Sequence, residues 1–135
     1  MKEFMHKNKR NELRGRALEI LQQLAREHEG IIADLFYCAL KEAGFSEDER
    51  VRTVGACLRT AQANGWIVRT SAAVKSRRNH SNLQNVWRSN IFGRDHKGRE
   101  LRGEEIDAAH ERWSRWGLVC PEFGLINAGR YKRID

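Results

Sequence analysis

The chain has 135 residues, of which 40% are hydrophobic and 32% charged, and its formal net charge is +7. This length fits one domain with a modest core, and the composition is typical of a globular protein rather than a disordered one. No apolar run approaches the roughly 20 residues that cross a bilayer, the N-terminus lacks the apolar segment of a secretory signal, and the three scattered cysteines favour a reduced, cytoplasmic protein.

Two amphipathic helices are predicted at the start of the chain. The first covers residues 11–29, after a flexible basic segment at residues 1–10. Its apolar side chains recur at three- and four-residue steps, at Leu13, Ala17, Leu21 and Leu24. The second covers residues 31–43. Gly44 then supplies the left-handed residue that commonly ends a helix, with Phe45 folded back onto the helix end.

A third helix is predicted at residues 46–64. Ser46 and Glu49 have the spacing of a capping box, and Asn64 with Gly65 marks the end of the helix. The predicted buried stripe consists of Val51, Val54, Leu58 and Ala61, with Cys57 beside them. This orientation turns the intervening residues outward, at Arg52, Thr53, Ala56, Arg59, Thr60 and Ala63.

A β-hairpin is predicted after the third helix. Residues 66–70 are aromatic and β-branched, and residues 85–92 alternate well enough to form the returning strand. The loop between them, at residues 71–84, is rich in Ser, Asn and Arg. Trp66 and Trp87 are expected to pack in the core behind the third helix.

A charged connector leads to a fourth helix, predicted from Gly103 to Trp116. Its buried side chains are expected to be Ile106, Ala109, His110 and Trp113. The segment 103–135 either packs on the first helix and completes the core or pairs two subunits. The elements together predict a mainly α fold with a small β-hairpin, in which residues 11–92 form the principal domain and residues 93–135 add a helix and a tail.

The basic residues are concentrated in one part of the chain. Residues 50–94 contain nine Lys or Arg and no Asp or Glu. Residues 66–102 carry nine basic and two acidic side chains, whereas residues 1–65 carry 11 and 10, and residues 103–135 carry five and six. A long segment of one sign attracts polyanions. We therefore expect a nucleic-acid surface here, with a solvated basic face as the alternative.

The order of the predicted elements is similar to that of a known class of DNA-binding domains. Two helices, a short turn at Gly44–Ser46, a capped third helix and a hairpin resemble the winged helix-turn-helix domains of bacterial and phage regulators. The stretch AxxNGWIV at residues 61–68 belongs to the same resemblance, since it looks like a recognition helix running into the first wing strand. The resemblance implies that the recognition helix, residues 46–64, lies in the major groove. The wing, residues 66–92, then contacts the flanking backbone or minor groove.

The resemblance and the predicted orientation of the third helix together give a set of candidate DNA contacts. They are Arg50, Arg52, Thr53, Arg59, Thr60, Arg69, Lys75, Arg77, Arg78, Asn79, His80 and Arg88. Arg52 and Arg59 lie two helical turns apart and are expected to reach guanine edges or phosphates. Lys75, Arg77 and Arg78 are expected to hold the flanking backbone.

We therefore predict that the chain is a small regulator or accessory factor of a bacterium, phage or plasmid and that it binds double-stranded DNA in a sequence-dependent way. No cofactor, metal or catalytic residue is expected, because no nucleotide-binding, metal-ligand or nucleophile motif is present. One alternative is a protein-interaction module that docks on a host polymerase or a defence complex. Another is a metal-dependent nuclease that uses Asp95, His96 and the acidic residues of the fourth helix.

Overall fold

Helices pack with a small antiparallel sheet in this fold, which a computed structural model describes for residues 2–76 and 83–119. Side chains are described for residues 9–74, 76 and 83–119. The helices in this part of the chain are α1 (Lys2–Glu27), α2 (Ala33–Glu42), α3 (Glu47–Ala63) and α4 (Gly103–Ser114). The strands are β1 (Gly30–Ile31), β2 (Ile67–Lys75) and β3 (Leu83–Ser89). A helical fold with a small β element is thus confirmed.

The sheet has the strand order β1–β3–β2, and its neighbouring strands are antiparallel. Strands β2 and β3 form the predicted hairpin, with Ile67 opposite Ser89 at the open end and Lys75 opposite Leu83 at the other. Both strands are displaced from the prediction. β2 extends to residue 75 instead of ending at 70, and β3 ends at residue 89 instead of 92.

Strand β1 is an element that the sequence prediction missed. The second helix was expected to begin at residue 31, but Gly30 and Ile31 pair with Arg88 and Trp87, and α2 begins only at Ala33. A two-residue strand has no periodicity of its own. It forms because β3 lies beside it, so nothing in the local sequence announces it.

Helix α1 begins at Lys2 rather than at residue 11. The prediction relied on apolar spacing, which starts at Leu13, whereas residues 2–10 continue the helix with polar residues of good helix propensity such as Lys and Glu. The flexibility expected for residues 1–10 stays a prediction. Further along, the apolar face is buried as expected, at Ala17, Leu21, Leu24 and Ala25.

Local signals set the two ends of α3, as predicted. The Ser46 hydroxyl accepts a hydrogen bond from the Glu49 backbone N–H (3.2 Å), and the Glu49 carboxylate accepts one from the Ser46 backbone N–H (2.7 Å). The bond from the Ser46 backbone is the main reason why the pKa of Glu49 lies below its usual range. Gly44 (φ 93°) ends α2 and Gly65 (φ 78°) ends α3, both in the left-handed region that favours glycine.

The core lies between α1, α2, α3 and the sheet. Its largest fully buried side chains include Leu21, Ile31, Leu35, Phe36, Leu40 and Ile67. Each such side chain contributes roughly 1.5–3 kcal/mol through its removal from water. Helix α3 adds Cys57, and burial raises the pKa of this thiol. This core holds α3 by one face.

Helix α4 packs against the end of α1. Ala109 and Trp113 are buried, and the His110 ring nitrogen Nε2 lies 2.9 Å from the carbonyl oxygen of Glu27. The His110 ring stacks on His28, with centroids 5.0 Å apart. His28 is 1% exposed, and neither of its ring nitrogens has a hydrogen-bond partner among residues 2–76 and 83–119. Burial, followed by the charge of His110, lowers the pKa of His28 to about 4. Helix α4 therefore extends the core, one of the two roles that the sequence left open.

Candidate nucleic-acid interface

Helix α3 turns one face to the core and the other to solvent. Most of the predicted stripe is buried, at Val54, Cys57, Leu58 and Ala61. Val51, which was expected on the same stripe, is instead 62% exposed. The buried stripe begins one residue earlier, at Arg50, so the prediction for Val51 was wrong.

Arg50 was expected to contact DNA, but its side chain lies in the interior. It is 9% exposed, its Nη1 donates to the carbonyl of Phe45 (3.0 Å), and its guanidinium carbon lies 4.5 Å from the centroid of the Tyr37 ring. The Tyr37 ring and the Phe45 carbonyl are the partners of the buried cation. Arg50 therefore ties the turn before α3 to the helix, and its burial removes it from the candidate contacts.

Four other predicted contacts remain on α3. Arg52 and Arg59 are exposed, and Thr53 and Thr60 are half-buried beside them. The hydroxyl of Thr60 donates to the carbonyl of Ala56 (3.0 Å) within the helix. The structure thus brings these four residues together on one helix, with both arginines on its surface.

Gly55 keeps the surface of α3 low around Arg59. A Cβ atom at Gly55 would lie 3.7 Å from Nη1 of Arg59, so the guanidinium rests over the glycine. Ala56 and Ala63, the other outward residues of the prediction, are also small. Glycine inside a helix costs about 1 kcal/mol relative to alanine. This unfavourable choice at Gly55 was a signal in the sequence that the prediction did not use.

The first turn of α3 is less suited to phosphate than the rest of the helix. It carries three acidic residues, Glu47, Asp48 and Glu49. Asp48 lies 3.8 Å from Arg52 one turn away, and both side chains are exposed. Such an exposed pair contributes little, so Arg52 is able to exchange its partner for another anion.

Helix α1 adds basic side chains beside this end of α3. A groove of about 800 Å³ between the two helices is lined by Lys9, Arg10 and Arg14 of α1 and by Arg52 of α3, together with Asp48 and Glu49. Basic groups therefore outnumber acidic ones by four to two in the groove. The sequence prediction gave α1 a core role only, although Arg10 and Arg14 already stand one helical turn apart.

Two further predicted contacts lie on the sheet. Arg69 is exposed and faces the half-buried Trp87 across the strands, whereas Arg88 faces Val68, and this pair is exposed. Trp66 is also half-buried, so the two tryptophans border the core rather than fill it. Consecutive residues of a strand point to opposite faces, so Arg69, which shares a face with Trp87, and Arg88, which shares a face with Val68, lie on opposite faces of the hairpin.

The end of α3 is joined directly to the hairpin. The backbone N–H of Asn90 donates to the carbonyl of Trp66 (2.8 Å), and its side-chain amide donates to the carbonyl of Gly65 (2.9 Å). Gly65 is the residue that ends α3. These bonds fix where β2 starts and where β3 ends relative to the helix.

A bulge divides the hairpin into two halves. The pairing register shifts between Arg69 and Ala73. The hydroxyl of Thr70 donates to the carbonyl of Val86 (2.6 Å) and accepts from the N–H of Ala72 (3.1 Å), so it satisfies backbone groups that the shifted ladder leaves open. Bulges of this kind bend a strand and redirect its side chains.

A buried carboxylate holds the two ends of the loop between β2 and β3. Asp34, in the first turn of α2, accepts hydrogen bonds from the hydroxyl of Ser76 (3.0 Å) and from Nε2 of Gln84 (2.9 Å). Its own N–H donates to Oε1 of Gln84 (3.0 Å). Ser76 and Gln84 stand on either side of the loop, so the hairpin is anchored to α2 from both strands.

The remaining predicted contacts belong to this loop. Arg77, Arg78, Asn79 and His80 lie outside the described residues, and so does the side chain of Lys75. Their contact with DNA stays a prediction.

Asp95, one of the residues considered for a nuclease site, has other partners. The carboxylate of Asp95 accepts the N–H groups of Arg99 (2.9 Å) and Lys97 (2.8 Å), and these bonds, led by that of Arg99, lower its pKa. His110 is occupied by its contacts with α1. Within residues 2–76 and 83–119, no three His, Cys, Asp or Glu side chains converge as metal ligands do.

None of the helices in the described part of the chain combines the length and apolar character that crossing a bilayer requires. Comparison with protein-family models, curated proteins and solved structures gives no match.

Proposed function

We propose that the protein binds double-stranded DNA as a winged helix-turn-helix domain and acts as a small regulator or accessory factor without a cofactor. The observation that carries this proposal is the solvent face of α3, where Arg52 and Arg59 stand among small residues. The order of two helices, a capped third helix and a hairpin supports it. So does the absence of acidic residues from the whole segment 50–94.

Arg59 is the residue best placed to enter the major groove. The groove is about 12 Å wide and admits a helix with its side chains. Gly55 beside Arg59 lets the helix backbone approach the bases, and the planar guanidinium matches the two acceptors of a guanine edge. Arg52 lies nearer the acidic first turn of α3, and in this proposal it contacts the phosphate backbone.

The hairpin and α1 supply sequence-independent contacts. Arg77 and Arg78 on the loop neutralise phosphates next to the groove, together with one of the two strand arginines, Arg69 or Arg88, because these two lie on opposite faces of the hairpin. The bonds of Asp34 hold Ser76 and Gln84, at the two ends of the loop, against α2. Basic residues of α1 extend the contact along the backbone. Each neutralised phosphate makes the affinity more dependent on salt.

Fluorescence anisotropy with duplex DNA at several salt concentrations, followed by selection of preferred sites, tests the proposal. We expect the logarithm of the binding constant to fall linearly with the logarithm of the salt concentration. Arg59→Ala is expected to weaken binding to a selected site by roughly 5- to 150-fold and to relax sequence choice, because one bidentate base contact is worth about 1–3 kcal/mol.

Arg102→Ala is the matched control. It removes one exposed arginine from the start of α4, where Arg102 pairs with Glu105 at 3.2 Å. We expect it to leave binding nearly unchanged. Equal losses in both variants would contradict a specific role for α3. Poor binding to all duplexes at low salt would favour the protein-interaction alternative, and magnesium-dependent cleavage of plasmid DNA would favour the nuclease.

A further inference from the structure

Trp116 exposes a large aromatic surface on a defined turn. The residue is 61% exposed. The turn that carries it is closed by hydrogen bonds from the Gly117 N–H to the Ser114 carbonyl (2.9 Å) and from the Leu118 N–H to the Trp113 carbonyl (3.3 Å). Leu118, two residues further on, is buried. The exposure of Trp116 is therefore built into the fold.

Two hollows lie on either side of Trp116. One is a largely apolar groove of about 590 Å³ between α2 and α4, which Cys38, Trp113 and Leu118 help to line. The other has about 510 Å³ and is lined in part by Ala108. Trp116 borders both, so this surface, here called the α2/α4 surface, consists of an aromatic ridge beside a groove. An exposed aromatic residue next to a pocket is typical of the centre of a protein–protein interface.

The charged groups of the α2/α4 surface have both signs. They are Lys41, Arg112 and Arg115 on the basic side and Asp34, Glu42 and Glu111 on the acidic side, and Arg112 pairs with Glu42 within the chain. A polyanion does not match such a surface. A second copy of the same surface, turned about a two-fold axis, offers both signs in return, because a contact of this symmetry lets Glu111 and Arg115 of one copy meet Arg115 and Glu111 of the other.

We propose that two copies of this chain pair through the α2/α4 surface, with Trp116 of each copy inserted into the groove of the other. The net charge of +7 opposes association elsewhere, where basic groups predominate, and so favours this balanced region. Pairing is a property of the protein alone. It goes beyond DNA binding and does not depend on it.

Sedimentation velocity of the full chain without nucleic acid tests the pairing. The wild-type mass is expected to rise with concentration from 15.7 kDa to twice that value. Trp116→Ala is expected to raise the dimer dissociation constant at least roughly 30-fold, the effect of losing a central aromatic residue. Trp116→Phe should lose less, because it keeps an aromatic ring.

Val51→Ala is the matched control, because Val51 is as exposed as Trp116 but lies on α3. It should leave the dissociation constant unchanged. Arg115→Glu, at another exposed position, removes part of the charge match and should weaken pairing independently of Trp116. Far-UV circular dichroism of each variant shows whether it is folded.

A wild-type protein that stays monomeric at every concentration would overturn the inference. A Trp116→Ala variant that pairs as well as the wild type would overturn it too, as would equal losses in Val51→Ala. DNA binding measured in parallel separates the two proposals. A dimer that binds no duplex leaves this inference standing and removes the proposed function.

Discussion

The surface around α3 and the α2/α4 surface differ in both charge and relief. On α3 the exposed arginines stand among glycine and alanine, inside a segment without any acidic residue. Around α4, basic and acidic side chains surround the ridge formed by Trp116. A low, mainly basic surface suits a regular polyanion, whereas a ridged surface of both signs suits a copy of itself. The overall charge of the chain therefore conceals two surfaces of different character, and the two proposals assign them different classes of partner.

Unfolding in acid tests whether the surface around α3 and the α2/α4 surface depend on the same core. The pKa of His28 is 6.5 when unperturbed and about 4 in the fold. Between these values the unfolded chain binds more protons, so the free energy of unfolding falls as the pH drops from 6.5 towards 4. The full loss is about 3 kcal/mol. Urea unfolding at pH 7 and at pH 4.5 measures it.

His28→Leu provides the comparison for the acid experiment. It removes the titrating group and its two unpartnered ring nitrogens, so most of the difference between the two pH values should disappear. At acidic pH values that unfold the wild type, we expect duplex binding and pairing to be lost together. An acid sensitivity that is unchanged in His28→Leu would assign it to other groups.

Arg77→Ala tests whether the loop contributes charge without sequence choice. We expect weaker binding to all duplexes alike, with a salt slope smaller by about one. Pairing through the α2/α4 surface should not change. A loss confined to one preferred DNA sequence would show instead that the loop reads bases.

Gly55→Ala and Gly55→Gln separate two effects of the glycine: its effect on the stability of the fold and its effect on how closely α3 approaches DNA. Gly55→Ala should raise the free energy of unfolding by about 0.5–1 kcal/mol, because the new Cβ would lie at an ordinary contact distance from Arg59. Gly55→Gln should weaken DNA binding, since a longer side chain holds the helix off the groove, yet leave pairing intact. Thermal unfolding and anisotropy together measure both effects. Unaltered binding by Gly55→Gln would mean that α3 does not approach DNA along this face.

The sequence was a good guide wherever a structure depends on its immediate neighbours. The capping box at Ser46 and the glycine at position 65 form bonds within a few residues, so their spacing alone predicted the ends of α3. The two-residue strand at Gly30 could not be predicted from the local sequence, because it forms only by pairing with β3, nearly 60 residues away.

The candidate site shows the same division. Arg59 and its outward position followed from helical spacing, but Arg50 and Val51 were exchanged. Apolar periodicity favours burying a valine over an arginine. It contains no information about Tyr37 and the Phe45 carbonyl, which give the Arg50 side chain an interior partner. The basic residues of α1 were overlooked because they become part of the site only when α1 and α3 pack together.

Helix α2 has a consequence for how a pair of these chains would meet a target. Asp34 near its start secures the hairpin, and Glu42 at its end belongs to the α2/α4 surface. Roughly 12 Å of uninterrupted helix separate the two residues. In the proposed two-fold pair, this rigid helix, rather than a flexible linker, would set the distance between the two DNA-binding surfaces. The pair would then bind repeated DNA elements only where the distance between the elements matches the distance between its two surfaces.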